Sequence, residues 1–513
     1  MNGKTWINKE GKTEEAAALQ GLLQANDFIQ AKVFCQNWLE KAPHSEEALQ
    51  CCGLFYVKTQ ELEKAIACFE QAILENPNNA GFHNNLGNAY LANGNLEKAK
   101  QHFNQTLRLD TQHAEGYNNL GRLYYSQNLF SEAAPFFEKA LRINPDYWEA
   151  HYNLAHNAVK QNQVSKAIDH YREVVRLNPQ HMNAELNLGL LLFEEGAYEE
   201  SKIHLSKAFE MDPNNVNAVY YLANVELLLG NTEPAFTLFE KTIELSPNFA
   251  EAHHNLAVLY LRRQDNTNAL KSFETTLRLQ PENETAKHMV HALQGDQTER
   301  VAPREYVTAL FDQYAPHYNK HIKDSLHYGV PGLLRDAVGR VLQDSKKAGR
   351  ILDLGCGTGL CGIYFRDLAR ELIGVDLSPK MIAQAEVLGA YDKLVVEDLN
   401  DYLKTPNLEP FDMIISGDVL VYIGDLEPSI EGVAGALTPG GHFAFTTETL
   451  EEREGDNLED YHLNTTGRFT HSRKYIHRII ENAGFQLVFE ENITPRENEG
   501  KKVVGDLYVC TRV

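Results

Sequence analysis

The sequence predicts two folds in series: an α-solenoid of paired helices over residues 12–294, then an α/β, doubly wound, seven-stranded domain over residues 301–513. Three observations carry this prediction. Prolines at 43, 77, 145, 179, 213, 247 and 281 all lie multiples of 34 residues apart, with Thr111 filling the single gap. Beyond residue 300 short apolar runs alternate with helical patterns, as strands and helices of a mostly parallel sheet do. Between these strands sits Ile351–Gly359, reading I-L-D-L-G-C-G-T-G, an apolar strand running into an acid and three glycines spaced two apart. A chain of 513 residues exceeds what one core usually supports, so at least two domains are expected.

The repeat keeps its step in several columns. Leu86, Leu120, Leu154, Leu188, Leu222 and Leu256 form one, headed by Cys52; Gly53, Gly87, Gly121, Ala155, Gly189, Ala223 and Ala257 form a second that is always small. Ala31, Ala65, Ala99, Ala133, Ala167, Ser201, Ala235 and Ala269 make a third, and Phe69, Phe103, Phe137, Tyr171, Leu205, Phe239 and Phe273 a fourth. Small residues let two helices approach, the aromatic column fills space between neighbouring repeats, and proline ends each second helix because it cannot continue one. This pattern resembles the tetratricopeptide repeat. Eight repeats fit residues 12–283, the first degenerate at Cys35 and Trp38. Residues 284–293 read as a capping helix, and Gly295-Asp296-Gln297-Thr298-Glu299 as the polar break between domains.

The second part offers strands at 350–354, 372–376, 393–397, 411–416, 441–447, 485–490 and 505–511. Glycine tolerates positive φ and lets a ligand lie against backbone, so the turn Gly355, Gly357, Gly359 after the first strand suits a ligand cradle. Asp353 precedes it, and the second strand ends on Asp376, a carboxylate suited to a ribose diol. A dinucleotide-binding loop would place its third glycine at residue 360, which is Leu360, and would gain nothing from Asp353. The arrangement resembles class I S-adenosylmethionine-dependent methyltransferases, whose last strand inserts antiparallel.

That resemblance implies S-adenosylmethionine as cofactor, with Asp353 and the glycines at its amino-acid end and Asp376 on the diol. It implies Asp398, with Glu397 as alternative, on the adenine amino group and Leu399 against the ring. Residues Phe311–Tyr318 resemble the helix that such enzymes fold over the cofactor, where Tyr314 or Tyr318 would bond the methionine carboxylate. Asp418 and Tyr422 follow the fourth strand, where the family places cofactor and acceptor side by side; they and His471 are the candidate catalytic residues. His471 lies in the insert 448–484, the expected acceptor pocket, and would act as base, with His321 and His327 as competitors. Leu437-Thr438-Pro439-Gly440-Gly441 resembles the family's turn into the fifth strand. No N/D-P-P-Y/F motif of base-methylating enzymes follows the fourth strand.

Net charge is −23, and residues 301–513 alone carry 22 basic and 33 acidic side chains, which disfavours nucleic acid and anionic membranes as partners. The amino terminus has no apolar signal-like run and no stretch is long enough to span a membrane, so a cytoplasmic protein is expected. The seven scattered cysteines read as small buried hydrophobes, with no metal site. In the repeats, Asn85, Asn119, Asn153, Asn187 and Asn255 share a column broken by Tyr221. It resembles the asparagine ladders by which repeat superhelices hold a peptide backbone, because an amide matches a peptide's donors and acceptors. The expected protein is thus a methyltransferase whose array recruits a protein substrate or a carrier. The alternatives are a scaffold with a vestigial enzyme domain, or a small-molecule methyltransferase like those of the quinone and biotin pathways.

Overall fold

A computed structural model describes residues 13–315, 329–342, 349–450, 460–498 and 501–513. Sixteen helices run from Glu14–Gln24 to Asn266–Leu279, followed by the capping helix Glu284–Gln294. The prolines stand two residues beyond the helix ends, as Pro77 does after Leu62–Glu75; Thr111 keeps the same place after Leu96–Leu109. The turn inside each repeat passes through a left-handed residue of one column: Asn26, Gln60, Gly94, Asn128, Asn162, Gly196, Gly230 and Gln264. Glycine and asparagine adopt that conformation most readily, which explains their frequency there.

The small column faces the aromatic one within a repeat, and the aromatic column also shares buried clusters with the next repeat, as Phe137 does with Leu154. A Cβ added at Gly53, Gly87 or Gly121 would lie 2.6–2.7 Å from Phe69, Phe103 or Phe137, and one at Gly189 would lie 2.7 Å from Leu205. Phe69, Phe103 and Phe137 are fully buried in these gaps. Each such ring is locked by close packing, so even one added methyl would be felt.

The second part builds one sheet of β1 (Arg350–Leu354), β2 (Glu371–Asp376), β3 (Lys393–Val396), β4 (Phe411–Ser416), β5 (Leu437–Glu448), β8 (Phe485–Ile493) and β11 (Gly505–Arg512). Their order is β3-β2-β1-β4-β5-β11-β8, parallel except that β11 pairs antiparallel with both β5 and β8. The expected turn at Leu437–Gly441 is absorbed into β5 as an irregularity, since the pairing of Phe411 with Leu437 gives way to Met413 with His442. Side chains alternate between the two faces. Leu352, Leu354, Ile373 and Ile414 pack under helices Glu427–Ala436 and Arg473–Asn482, while Ile351, Leu372, Met413 and Val509 pack under Val330–Leu342 and Leu360–Phe365. Two hairpins were not foreseen: β6 (Tyr461–Leu463) with β7 (Phe469–His471), and β9 (Glu497–Asn498) with β10 (Lys501–Lys502).

By compactness the chain forms two units, residues 1–241 and 242–513. The sequence pattern changes at residues 295–299, but packing does not break there. Met289, Val290 and Ala292 of the capping helix share a buried cluster with Ala302, Tyr306, Val421, Tyr422, Leu463 and Phe469. The last helices of the array are therefore built into the unit that carries the sheet. No described helix is long and apolar enough to cross a membrane.

Candidate cofactor and acceptor site

A cleft, partly open to solvent, lies at the carboxyl edge of β1 to β4. That edge is where ligands bind in open α/β sheets. Gly355, Gly357, Asp376, Leu377, Glu397, Asp398, Leu399, Asp418 and Tyr422 line it. Glycines 355, 357 and 359 all take positive φ (73°, 54° and 91°). A Cβ at Gly357 would meet nothing within 4 Å, so its space belongs to the cleft, whereas one at Gly355 would lie 2.3 Å from Val419 Cγ2. Gly359 is not on the cleft wall; it makes room for Ala385 and the Tyr391 ring and starts helix Leu360–Phe365.

Asp376 shapes this turn as well as facing the cleft. Its Oδ2 accepts from the Gly357 N–H at 2.8 Å and its Oδ1 from the Ser378 N–H at 2.9 Å. Each oxygen retains a second lone pair for a ligand. Burial holds the carboxyl above the usual range, against these backbone hydrogen bonds. Asp353, expected at the ligand's amino-acid end, stands behind the turn at 1% exposure. Tyr391 donates to its Oδ2 at 2.6 Å and accepts from the Gly362 N–H at 3.1 Å, while Oδ1 has no protein partner. Burial pushes the Asp353 carboxyl up to about 7. Tyr391 was not singled out by the sequence; its ring fills the space left by Gly359, Gly362 and Gly374, and three glycines on one ring are visible only in three dimensions.

Asp398 caps the short helix Leu399–Leu403, accepting from Asn400 N–H at 2.9 Å, and pairs with Arg304 Nε at 3.3 Å. Arg304 Nη2 also reaches Asp401 Oδ2 at 2.7 Å. At the far end of helix Arg304–Tyr314, Asp312 accepts from Ser378 Oγ at 2.5 Å. These two latches tie that helix to the cleft, with Val307 and Phe311 on its wall; of the expected covering segment Phe311–Tyr318, residues 316–318 lie outside the described residues. The side chain of Tyr314 and all of Tyr318, His321 and His327 lie outside the described residues.

The fourth strand's end holds Asp418 at φ +61°, a left-handed conformation uncommon outside glycine, asparagine and aspartate. Its N–H donates to Thr446 Oγ1 at 2.8 Å, and its Oδ1 accepts from Arg496 Nη1 at 2.5 Å. Arg496 also bonds Glu448, which Arg468 Nη1 reaches at 3.4 Å, and the Arg468 guanidinium lies 5.4 Å from the centre of the Tyr422 ring. Burial pushes Asp418 and Glu448 up from the usual carboxylate range while Arg468 pulls both back. Glu448, Arg468 and Arg496 come from β5 and from two connections far apart in sequence, and no spacing signalled them.

His471 is not on the cleft wall. Its Nε2 donates to the carbonyls of Ile423 (2.8 Å) and Gly424 (3.1 Å), it is 1% exposed, and burial holds it down at about 4. A group so placed makes a poor base at neutral pH. The helix after it is capped by Ser472, which accepts from Tyr475 N–H at 3.2 Å.

The asparagine column also differs from its expectation. Asn119 is buried and donates to Asn84 at 2.9 Å, and Asn153 donates to Asn118 at 2.8 Å, so these amides tie repeats together. A groove nevertheless opens beside them, lined by Asn88, Arg122, Tyr125, Tyr152, Asn153 and His156 among others. Asn88, Arg122 and His156 form their own 34-residue column three positions beyond the asparagines.

Residues 326–490 match the model of a methyltransferase domain. Segments 53–94, 85–147, 124–186, 186–215 and 238–271 match models of the tetratricopeptide repeat. The chain belongs to the methyltransferase family and carries tetratricopeptide repeats ahead of that domain. It is 36% identical over 189 residues to an uncharacterized methyltransferase of Schizosaccharomyces pombe, covering 32% of this chain and 69% of that one. It is 29% identical over 150 residues to a malonyl-[acyl-carrier protein] O-methyltransferase of Enterobacter lignolyticus, covering 28% and 54%. A ubiquinone biosynthesis O-methyltransferase of Alkalilimnicola ehrlichii is 33% identical over 106 residues, covering 19% and 41%. The chain spans about half the length of the first curated relatives it matches. Among solved structures, YrrB, described as a repeat protein with an unusual peptide-binding site, is 29% identical with a TM-score of 0.34, covering 36% of this chain and 96% of that one.

Proposed function

We propose that this chain binds S-adenosylmethionine in the cleft and transfers its methyl group to an acceptor that the repeats help to present. The charge of the cleft carries the reading. Asp376, Glu397, Asp398 and Asp418 face it with Arg304 as the one cation among its described lining residues; Arg304 pairs with Asp398 and Arg496 with Asp418, so Asp376 and Glu397 leave the wall acidic. Such a wall suits a ligand bearing an ammonium and a sulfonium and repels the pyrophosphate of a dinucleotide. In this reading Gly357 receives the amino-acid end, Asp376 the diol, and Asp398 with Leu399 the adenine. The bound cofactor supplies a methyl carbon already activated by the sulfonium. The chain's task is alignment and exclusion of water, which the latched helix Arg304–Tyr314 serves. Asp418 and Tyr422 form the acceptor wall; Asp418, whose Oδ1 is paired with Arg496, is the carboxylate placed beside an acceptor that must lose a proton. The intact turn and Asp376 speak against a vestigial domain.

The groove of the array, with aromatic, amide and cationic side chains, suits a polypeptide segment. The relative named for a malonyl group on acyl-carrier protein makes a protein-borne acceptor a sound starting point. Titration calorimetry should give adenosylmethionine binding and none for a nicotinamide dinucleotide; the reverse preference would overturn the cofactor assignment. Labelled adenosylmethionine, incubated with the protein and a cell extract and followed by fractionation, should put label on protein. Label confined to free metabolites would overturn the recruiting role.

A further inference from the structure

We infer that His288, on the capping helix Glu284–Gln294 of the array, is a positioning residue for the acceptor side of the cleft. The inference rests on reading that cleft as the methyl-transfer site. His288 is completely buried, and its two ring nitrogens grip two separate segments. Nε2 donates to the Gly467 carbonyl at 3.0 Å, and Nδ1 bonds Glu299, whose other oxygen lies 3.0 Å from His291 Nδ1.

Both segments lead directly to Tyr422. After Glu299 the chain zips onto the residues around that tyrosine: Arg300 O accepts from the N–H groups of Gly424 (2.7 Å) and Asp425 (2.9 Å), and Ala302 N–H donates to Tyr422 O at 2.9 Å. After Gly467 comes Arg468, whose guanidinium covers the Tyr422 ring and reaches Glu448. The turn is held from a further side. The Tyr306 ring lies 4.6 Å from that of His288, and a Cβ at Gly467 would come within 2.6 Å of the Tyr306 hydroxyl and 3.0 Å of Met289 Sδ. Gly467, at φ +75°, therefore has neither the backbone nor the space for a side chain. One buried imidazole thus fixes the backbone on both sides of the acceptor wall, and the last helix of the array is a working part of that wall.

The test is the accessibility of Arg468 in the full chain, read by phenylglyoxal labelling and peptide mass spectrometry. His288→Ala should raise the labelling rate of Arg468 at least about tenfold, leave that of Arg366, more than 100 residues away in sequence, unchanged, and leave adenosylmethionine affinity within about twofold. His288→Gln, which keeps a donor for Gly467, should restore most of the protection. Unaltered Arg468 labelling in both variants would overturn the inference. Loss of adenosylmethionine binding by the wild-type protein would sink the underlying reading instead, and the labelling result would stand apart from it. If His288→Ala does not fold, His288→Gln and Glu299→Gln decide: protection of Arg468 equal to wild type in both overturns the inference, and a graded loss supports it.

Discussion

Gly357 and Gly355 sit two residues apart in one turn, yet adding one methyl to each should break different things. At Gly357 an alanine Cβ meets no protein atom within 4 Å, so the cost is only that of the left-handed φ of 54°. That cost is roughly 1–2 kcal/mol, which lowers the melting temperature by about 2–8 °C for a unit of this size. The new methyl instead occupies cleft space against the ligand. Displacing a ligand enough to lose one charged hydrogen bond costs about 1.5–3 kcal/mol, a loss of roughly 10- to 100-fold in affinity. At Gly355 the Cβ would lie 2.3 Å and 2.7 Å from the two Val419 methyls, so strain and overpacking add and the domain should lose a further 1–3 kcal/mol or so. Calorimetric titration with adenosylmethionine, paired with thermal melting of both variants, separates the two. A folded Gly357→Ala protein that binds adenosylmethionine with the wild-type Kd would refute the assignment of this turn as the ligand cradle.

Asp376→Ala should weaken adenosylmethionine binding by about 10- to 100-fold, because it removes the proposed diol partner and also frees the Gly357 and Ser378 N–H groups. Asp376→Asn, which keeps one acceptor, should fall between, and equal affinities for all three proteins would contradict this. Arg304→Ala removes one latch of the helix over the cleft; since Arg304 is half exposed, stability should change by less than about 1 kcal/mol while adenosylmethionine dissociates faster in stopped-flow measurements. The repeats should be acid-sensitive through His170, held at about 4 by burial and by the neighbouring His151. The unfolded chain takes up that proton below about pH 6.5 and the folded chain only near 4, so stability is intact above 6.5 and is lost as pH falls between these values. His170→Asn should narrow the gap in melting temperature between pH 7.5 and pH 5; an identical gap would argue against it.

Much of this protein is decided locally, and that part was legible in the sequence. A period of 34 residues with small, aromatic and proline columns leaves paired helices as the solution that buries those columns. A strand running into D-L-G-C-G-T-G, with Asp376 ending the next strand, defines a tight glycine turn through backbone geometry alone. Strand–helix alternation foretold a mostly parallel sheet and the family resemblance its antiparallel last strand, while the order of the strands came from the structure.

Other features depend on which distant residues the packing brings together. Asn119 and Asn153 carry the residue type of a peptide ladder, but packing turns their amides toward Asn84 and Asn118, and Asn153 lines the groove beside Arg122 and His156. His471 stands at a plausible place for a base, but the β6–β7 hairpin folds its ring under the backbone of Ile423 and Gly424. Glu448, Arg468 and Arg496 form one ion-pair cluster with Asp418 although no two of them are close in sequence. Residue type and periodicity fix each element and its buried face; only tertiary packing fixes which side chains of distant elements share a buried space, and here it placed the array's last helix beside Tyr422 and Arg468.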